Sequence, residues 1–151
     1  MTHENETGQP VTTGPSLDAL AKFVDAQETG IPVDIKGPDG KSIGLKITVY
    51  GPDSTQVDKA LDDVTKIMEA EALAGTSDED PRRSADRRTT LILARSCKSW
   101  DNNPVFGGKT YEFSVENLEF IFDKFRIIRD QVEVVAFRRG SFSIALSASS
   151  V

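Results

Sequence analysis

The chain has 151 residues, a mass of 16.5 kDa and a net charge of −6, with 38% hydrophobic and 28% charged residues. This is enough apolar material for one globular core, and no apolar run approaches the roughly 18 residues that a membrane helix needs. The single cysteine, Cys97, excludes an internal disulfide framework and a cysteine-rich zinc site. Together with an N-terminus unlike a signal peptide, it indicates a reducing cytoplasm.

Histidine occurs once, as His3, in a polar segment with few large apolar residues. Because histidine is the commonest general acid/base and metal ligand, Ser-His, Cys-His and His-metal sites have no suitable residue here. The composition therefore favours a binding or assembly protein over an enzyme, and we expect no catalytic residues, no cofactor and no metal.

The charge is unevenly distributed along the chain. Residues 1–80 contain six lysines and sixteen acids, a net charge of −10, whereas residues 81–151 contain twelve basic and eight acidic residues, a net charge of +4. Such asymmetry can give an acidic face and a basic face, which would support self-association or docking to an acidic partner. Solvated helix surfaces are the plainer interpretation.

Residues 1–15 are rich in Thr, Gly, Pro, Glu and Asn, and they predict a flexible N-terminal arm. Ser16 is the expected cap of a short helix that ends at Gly30. The apolar residues of this helix recur at i, i+3, i+4 and i+7, a stripe of the kind that usually packs on a core. They are Leu17, Leu20, Ala21 and Val24.

Residues 33–50 alternate between apolar and polar side chains on either side of Gly37-Pro38-Asp39-Gly40-Lys41. Proline presets φ and Asp-Gly tolerates the left-handed region, so this segment predicts a turn between two strands. The hairpin must pack its apolar face on helices, because two strands alone are marginally stable. The residues of that face are Val33, Ile35, Ile43, Leu45, Ile47 and Val49.

A long amphipathic helix is predicted over about residues 53–74. Asp53 and Gln56 have the spacing of a capping box at its start. A single apolar stripe follows, made by Val57, Leu61, Val64, Met68 and Ala72.

The next helix is predicted over residues 81–99, because Asp80-Pro81 places an N-cap residue before a proline at the first helical position. Residues 91–94 fit a buried helix or a strand by periodicity alone, and the cap favours the helix. Cys97 and Trp100 are expected to lie in the core.

Gly107-Gly108 separates two short β-prone segments, so a second small hairpin is an option there. Ser114 is the expected cap of a helix over residues 114–125, with Phe113 and Leu118 forming a hydrophobic staple.

A last helix is predicted over residues 127–139, and residues 141–151 predict a flexible tail. Together these elements predict an α+β fold. It is a mostly helical small domain over residues 16–140, with an N-terminal β-hairpin packed on helices and flexible tails at both ends.

Three motifs resemble catalytic or ligand-binding sites, but each is better explained as an ordinary turn, loop or core residue. Gly107-Gly108-Lys109-Thr110 resembles the end of a phosphate-binding loop, but Asn103 stands where that loop requires a glycine. Asp53 and the acids of residues 78–80 could bind a hard cation, but they lack EF-hand spacing, which favours a solvated loop. Cys97 has no partner histidine, which favours a buried, inert thiol.

The most distinctive charge feature is an arginine cluster: Arg82, Arg83, Arg87 and Arg88. A solvated helix start is its plainest interpretation. Among functional interpretations, an acidic protein partner is favoured over nucleic acid, because the chain is acidic overall and no base-stacking aromatic residues alternate with the arginines. We therefore treat the cluster as a candidate partner-binding surface.

Aromatic residues before and within the helix over 114–125 form a second candidate partner-binding surface. They are Phe113, Phe120, Phe122 and Phe125.

The order of these elements resembles the tail assembly chaperones of long-tailed bacteriophages. The likeness covers about residues 31–143, beginning with the Pro-Asp-Gly turn, and it departs from the family at Phe125-Arg126, where Tyr-Pro is usual. The matching residues are Gly51, Pro52, Asp53, Ser54, Trp100, Phe113, Ser114, Glu116, Asn117, Leu118, Ile128, Arg129, Gln131, Val132 and Phe142.

The resemblance implies a non-enzymatic morphogenesis factor that binds the tail tape-measure protein and recruits tail-tube subunits. Such chaperones occur in the host cytoplasm, are absent from the mature virion, and are often made in a longer, frameshifted form. Neither nucleic acid nor membrane is an expected partner. Two alternatives stay open: a structural virion component, such as a tail or head–tail connector subunit, and a small carboxylate-dependent enzyme.

Overall fold

The computed structural model describes residues 14–143, together with the backbone of two short strands, β1 (Thr2–Glu4) and β2 (Pro10–Thr12). These strands pair antiparallel, with Thr2 opposite Thr12, inside the segment that we expected to be a flexible arm. The other residues of 1–13, and residues 144–151 of the expected tail, lie outside the described part of the chain.

The fold is α+β, as the sequence predicts. After β2 the elements are α1 (Asp18–Thr29), β3 (Ile31–Lys36), β4 (Ser42–Val49), α2 (Thr55–Leu73), α3 (Pro81–Arg95), β5 (Cys97–Asp101), β6 (Val105–Phe106), β7 (Lys109–Thr110), α4 (Val115–Lys124) and α5 (Arg126–Ala136). A further helical turn covers residues 139–143.

The central sheet has the strand order β3-β4-β5, with both neighbouring pairs antiparallel. The predicted β3–β4 hairpin is confirmed, and its turn contains Gly40 with φ of 79°. The expected alternation fails at Ile43, whose side chain is 56% exposed. The register shifts between the Asp34↔Lys46 and Lys36↔Ser42 pairs, so β4 bulges and Ile43 leaves the core face.

Strand β5 corrects the prediction of a helix over residues 81–99. Helix α3 ends at Arg95, and the chain then pairs with β4, placing Trp100 opposite Ile47. The sequence pattern could not reveal this pairing, because the free edge of β4 is distant along the chain. Cys97 and Trp100 are still buried as expected, although they lie on a strand.

The core lies between one face of the sheet and helices α3, α4 and α5. It also includes Phe142, which is 0% exposed. The prediction of a flexible tail from residue 141 is therefore wrong for residues 141–143, because the helical turn returns Phe142 to the core.

Helix α1 has its apolar stripe on the solvent side, contrary to expectation. Leu17, Leu20 and Val24 are 66%, 59% and 42% exposed, and Ala21 is exposed too. The buried residue of the helix is the polar Gln27, at 0% exposure. Ser16 lies one residue before the N-cap position.

Helix α2 covers Thr55–Leu73, and its N-cap lies one residue later than predicted. Ser54 is the N-cap and its Oγ accepts a hydrogen bond from the Val57 backbone N–H at 3.2 Å, so the capping role expected of Asp53 is wrong. Val57 and Val64 are buried, whereas Leu61 and Ala72 of the predicted stripe are exposed.

The other predicted caps are confirmed. Asp80 accepts a hydrogen bond from the Arg82 N–H at 2.8 Å, and Ser114 accepts one from the Asn117 N–H at 3.0 Å. The Gly107-Gly108 turn joins β6 to β7, with both glycines at positive φ. No helix in the described ranges is long and apolar enough to cross a bilayer.

Candidate partner-binding groove

An apolar groove of about 600 Å³ opens between the β3–β4 turn, the loop after β5 and the α4–α5 junction. Its walls include four apolar side chains that remain exposed: Val105 (66%), Ile43 (56%), Ile127 (42%) and Phe106 (41%). Its floor includes Ile121 and Phe125. A concave, largely apolar surface of this size is typical of a binding site.

Hydrogen bonds hold the loop after β5 against its neighbours. The Trp100 indole Nε1–H donates to Asn103 Oδ1 at 3.0 Å, and Asn102 Nδ2 donates to the Gly44 carbonyl across the groove edge at 2.9 Å. The Tyr111 N–H donates to the Pro104 carbonyl at 2.9 Å, which closes the β6–β7 hairpin onto the loop. These three hydrogen bonds hold this wall of the groove in place.

Helix α5 and strand β3 are joined at the groove by Gln131. Its Oε1 accepts a hydrogen bond from the Lys36 N–H, and its Nε2 donates to the Lys36 carbonyl, both at 2.8 Å. One glutamine thus satisfies both backbone groups of a strand end, which sets the separation of the two walls.

A group of aromatic rings extends from the groove to the adjoining surface. Phe106 packs edge-to-face on Phe125 at 5.3 Å and lies 6.3 Å from Phe120. Phe120 in turn stacks on Tyr111 at 5.3 Å. Large aromatic surfaces of this kind, partly open to solvent, are common anchors in protein interfaces.

The structure separates the four aromatic residues that the sequence singled out. Phe125 lines the groove and Phe120, 39% exposed, lies beside it. Phe113 is half-buried and packs edge-to-face on Trp100 at 5.4 Å, away from the groove lining. Phe122 is 0% exposed in the core, so it presents no surface to a partner.

The sequence analysis missed the groove residues Ile43, Phe106 and Ile127. Ile43 was placed in the core by its alternation, and Ile127 lies one position from the core residue Ile128. Phe106 could have been noticed, because it stands directly before the predicted Gly107-Gly108 turn, and connecting segments lie at the protein surface.

The arginine cluster lies outside the groove lining. Arg83 pairs with Asp78 at 2.7 Å, and Arg87 donates through Nε to Glu71 Oε1 at 3.0 Å, which ties α3 to α2 and to the loop between them. These bonds hold the pKa of Asp78 and that of Glu71 below their ordinary values.

The remaining two arginines, Arg82 and Arg88, are exposed and form no ion pair with any residue that the structure describes. Two of the four guanidinium groups are therefore paired within the fold, and the other two are free of ion pairs with the described residues.

The border of the groove is basic. Lys36 lines it, Lys124 Nζ lies 5.8 Å from the centre of the Phe106 ring, and Lys109 Nζ lies 4.9 Å from the centre of the Tyr111 ring. Within residues 14–143, no acidic side chain lines the groove and none of these lysines forms an ion pair. An apolar segment flanked by carboxylates would match this surface.

Within the described ranges, no three His, Cys, Asp or Glu side chains come together as a metal site. Burial raises the pKa of the Cys97 thiol, whose Sγ donates to the Leu93 carbonyl at 3.2 Å, as expected of an unreactive core cysteine.

No protein-family model, no curated protein and no solved structure matches this chain. The groove and the sequence motifs are thus the basis for a functional assignment.

Proposed function

We propose that this protein is a non-enzymatic assembly chaperone that receives an apolar segment of another polypeptide in the groove. The observation that carries the proposal is the groove itself, whose walls expose Ile43, Val105, Phe106 and Ile127 to solvent. Fully burying one such side chain contributes about 1.5–3 kcal/mol, so covering four half-exposed ones gives a reversible complex. Reversibility is what a chaperone requires, because its client must later be released.

The resemblance to phage tail assembly chaperones supports a proposal for the client class. We propose that the tape-measure protein binds and that tail-tube subunits are recruited to the complex, in the host cytoplasm before tube polymerisation. Gln131, one of the residues that match the family motifs, supports this assignment because it joins the two groove walls through the backbone of Lys36. Trp100, another of them, holds the loop after β5 through Asn103.

The test is co-expression with the products of the neighbouring genes, a tape-measure and a tail-tube protein on this proposal, followed by affinity isolation. Val105→Glu places a carboxylate in the apolar groove, and we expect at least about a ten-fold loss of recovered tape-measure protein, equivalent to about 1.4 kcal/mol. Val134→Glu is the matched control, since Val134 is 56% exposed on α5 and outside the groove. Equal recovery with both variants would contradict the proposal.

The contribution of the arginine cluster is tested in the same assay. Replacing Arg82 and Arg88 with Ala removes the two guanidinium groups that make no ion pair within the described residues, so the fold should be unchanged. If less tape-measure protein is recovered while the circular dichroism spectrum is unchanged, the two arginines contact a partner. If recovery is unchanged, they are solvated surface charges.

A structural virion component is the alternative. Mass spectrometry of purified particles separates the two functions, since a chaperone is absent from them and a structural subunit is present in stoichiometric amounts.

A further inference from the structure

Helix α1 carries an apolar stripe that no other described part of the chain covers. Leu17, Leu20 and Val24 follow one another at helical spacing and are 66%, 59% and 42% exposed. Exposing three large aliphatic side chains side by side is unfavourable in water, so a surface of this kind indicates that another segment covers it.

The stripe adjoins the side of α1 that packs on the domain. Gln27, which is 0% exposed, lies one helical turn beyond Val24 and two turns beyond Leu20. Phe23, three residues after Leu20, packs against the core. A segment that covers the stripe must therefore run along the domain surface beside Phe23 and Gln27.

The C-terminal helical turn, residues 139–143, lies at this place. Arg139 Nη2 donates a hydrogen bond to Asp53 Oδ1 at 2.6 Å, and Gln27 Nε2 donates one to Asp53 Oδ2 at 3.1 Å. One carboxylate thus holds both the start of the turn and the buried side of α1. Phe142, near the end of the turn, belongs to the core cluster against which Phe23 packs. Residue 144 therefore follows directly on a turn that lies beside α1.

Residues 144–151 have the composition of a cover for the stripe. Their sequence, Ile-Ala-Leu-Ser-Ala-Ser-Ser-Val, contains no charged residue, so the acids that flank the stripe, Asp18 and Asp25, do not repel it. Leu146 lies four residues after Phe142, a spacing that puts two side chains on the same side of a helix and of an extended strand alike. Because Phe142 is buried, either regular continuation of the chain directs Leu146 toward the domain.

The length of this segment matches the stripe. The ten residues from Leu17 to Gln27 span about 15 Å along the helix axis. Residues 144–151, when extended, span about 26 Å. The segment can therefore follow the stripe from its end at Gln27 to its start at Leu17.

We propose that residues 144–151 bind the apolar stripe of α1 within the same chain, with Leu146 packed against Leu20 and Val24. Because the segment is joined to the domain, its effective concentration at the stripe is about 1 mM, which exceeds that of a separate protein at micromolar levels.

The contact is autoinhibitory, because the stripe is open to another protein only after the segment has left it. It does not involve the groove, whose described lining contains no residue of α1. The contact is therefore independent of the proposed function, and each can fail without the other.

Nuclear magnetic resonance relaxation of the purified full chain measures whether the segment is held. In the wild type, the backbone order parameters of residues 144–147 should lie above about 0.6, the upper limit for flexible segments. Leu20→Glu adds a carboxylate to the stripe and should lower them below that limit. Leu73→Glu, at a site on α2 that is 91% exposed, is the matched control and should leave them unchanged.

Disulfide formation measures which residues meet. Leu20→Cys combined with Leu146→Cys should form a disulfide within one chain, at about 1 μM protein, at least about ten-fold faster than Leu73→Cys combined with Leu146→Cys. Leu73 is the matched site because it lies about 27 Å along α2 from the N-cap of that helix, too far for Leu146 to reach. The native Cys97 does not compete, because its thiol is buried.

Three outcomes would overturn the inference. The first is a wild type whose order parameters at residues 144–147 lie below about 0.6, a measurement that needs no variant. The second is equal disulfide rates for the two cysteine pairs. The third is a disulfide that joins two chains and not one, because it assigns the stripe to a second copy. Circular dichroism spectra matching the wild type establish that the variants are folded.

Discussion

Gln27 is a fully buried glutamine whose polar groups are all used. Its backbone carbonyl accepts a hydrogen bond from the Gly51 N–H at 3.0 Å. In the side chain, Oε1 accepts a hydrogen bond from the Asp53 N–H and Nε2 donates one to Asp53 Oδ2 at 3.1 Å. A Cβ on residue 51 would overlap this side chain, which explains the glycine there. Arg139 pairs with Asp53 on the outer side at 2.6 Å, so one network joins α1, the start of α2 and the C-terminal turn.

Removing the Gln27 side chain should destabilise the protein. Gln27→Ala leaves the Asp53 N–H without its acceptor in a partly buried position, a cost of about 1–3 kcal/mol. Urea unfolding followed by circular dichroism measures the free energy of unfolding. Gln56→Ala, at an exposed position of α2, is the control and should change it little.

The Asp53–Arg139 pair makes stability depend on pH. The hydrogen bond from Arg139, followed by the one from Gln27, holds the pKa of Asp53 below its ordinary value of 3.8. The unfolded chain therefore binds the proton more readily. The stabilisation is fully present above that ordinary value and is lost as the pH falls through the lower pKa of the folded state.

The free energy of unfolding, measured with urea, should consequently fall less between about pH 5 and about pH 2 in Arg139→Gln than in the wild type. Arg138→Gln, its neighbour, is exposed and forms no ion pair within the described chain, so it should keep the pH profile of the wild type. Identical profiles for the two variants would show that the Asp53–Arg139 pair does not contribute.

Among the elements, α5 packs against α3 around one buried charge. Arg129 is 5% exposed, and its Nη1 lies 2.8 Å from Asp86 Oδ1 and 3.1 Å from Thr90 Oγ1. Its Nε makes no hydrogen bond within the described residues. The guanidinium is thus stabilised chiefly by Asp86, with Glu133 more distant at 3.8 Å.

Asp86→Ala should therefore cost about 3 kcal/mol, because it leaves an arginine buried without its main partner. Adding Arg129→Met removes the charge at similar volume and should restore most of that loss. Denaturant unfolding of both variants measures the difference, with Asp62→Ala on the exposed side of α2 as control. A double variant as unstable as Asp86→Ala alone would contradict this argument.

Elements differed in how well the sequence predicted them. The helix starts at Asp80 and Ser114 were predictable because capping involves residues two or three apart. Strand β5 was not, because residues 97–101 become a strand by pairing with β4, about 50 residues earlier in the chain.

At the scale of the whole molecule, the C-terminal turn belongs to the domain. Phe142 is fully buried, so Phe142→Ala should lower the free energy of unfolding by about 3–5 kcal/mol. Phe137→Ala, at a residue 44% exposed, is the matched control and should have a much smaller effect. Urea unfolding of the two variants provides the comparison, and equal effects would place Phe142 outside the core in solution.

The groove is also a property of the whole molecule. It is formed by three segments around Ile43, Phe106 and Ile127. The sequence indicated that aromatic residues near position 120 were a candidate surface; Phe125 lines the groove, and Phe120 lies beside it. It could not indicate which of the four phenylalanines faces the core. Helical spacing shows how wide an apolar stripe is, but not which element packs against it.

The sequence by itself determined the local geometry: the turn at Gly40, the caps at Asp80 and Ser114, the hairpin, and an α+β arrangement. These depend on the conformational preferences and hydrogen bonds of residues close in the chain. Tertiary structure alone decided that Gln27 is buried while Leu20 is exposed, that residues 97–101 pair with β4, and that Phe142 enters the core. Burial and strand pairing are contacts between distant segments, and their free energy depends on what the rest of the chain places opposite each residue.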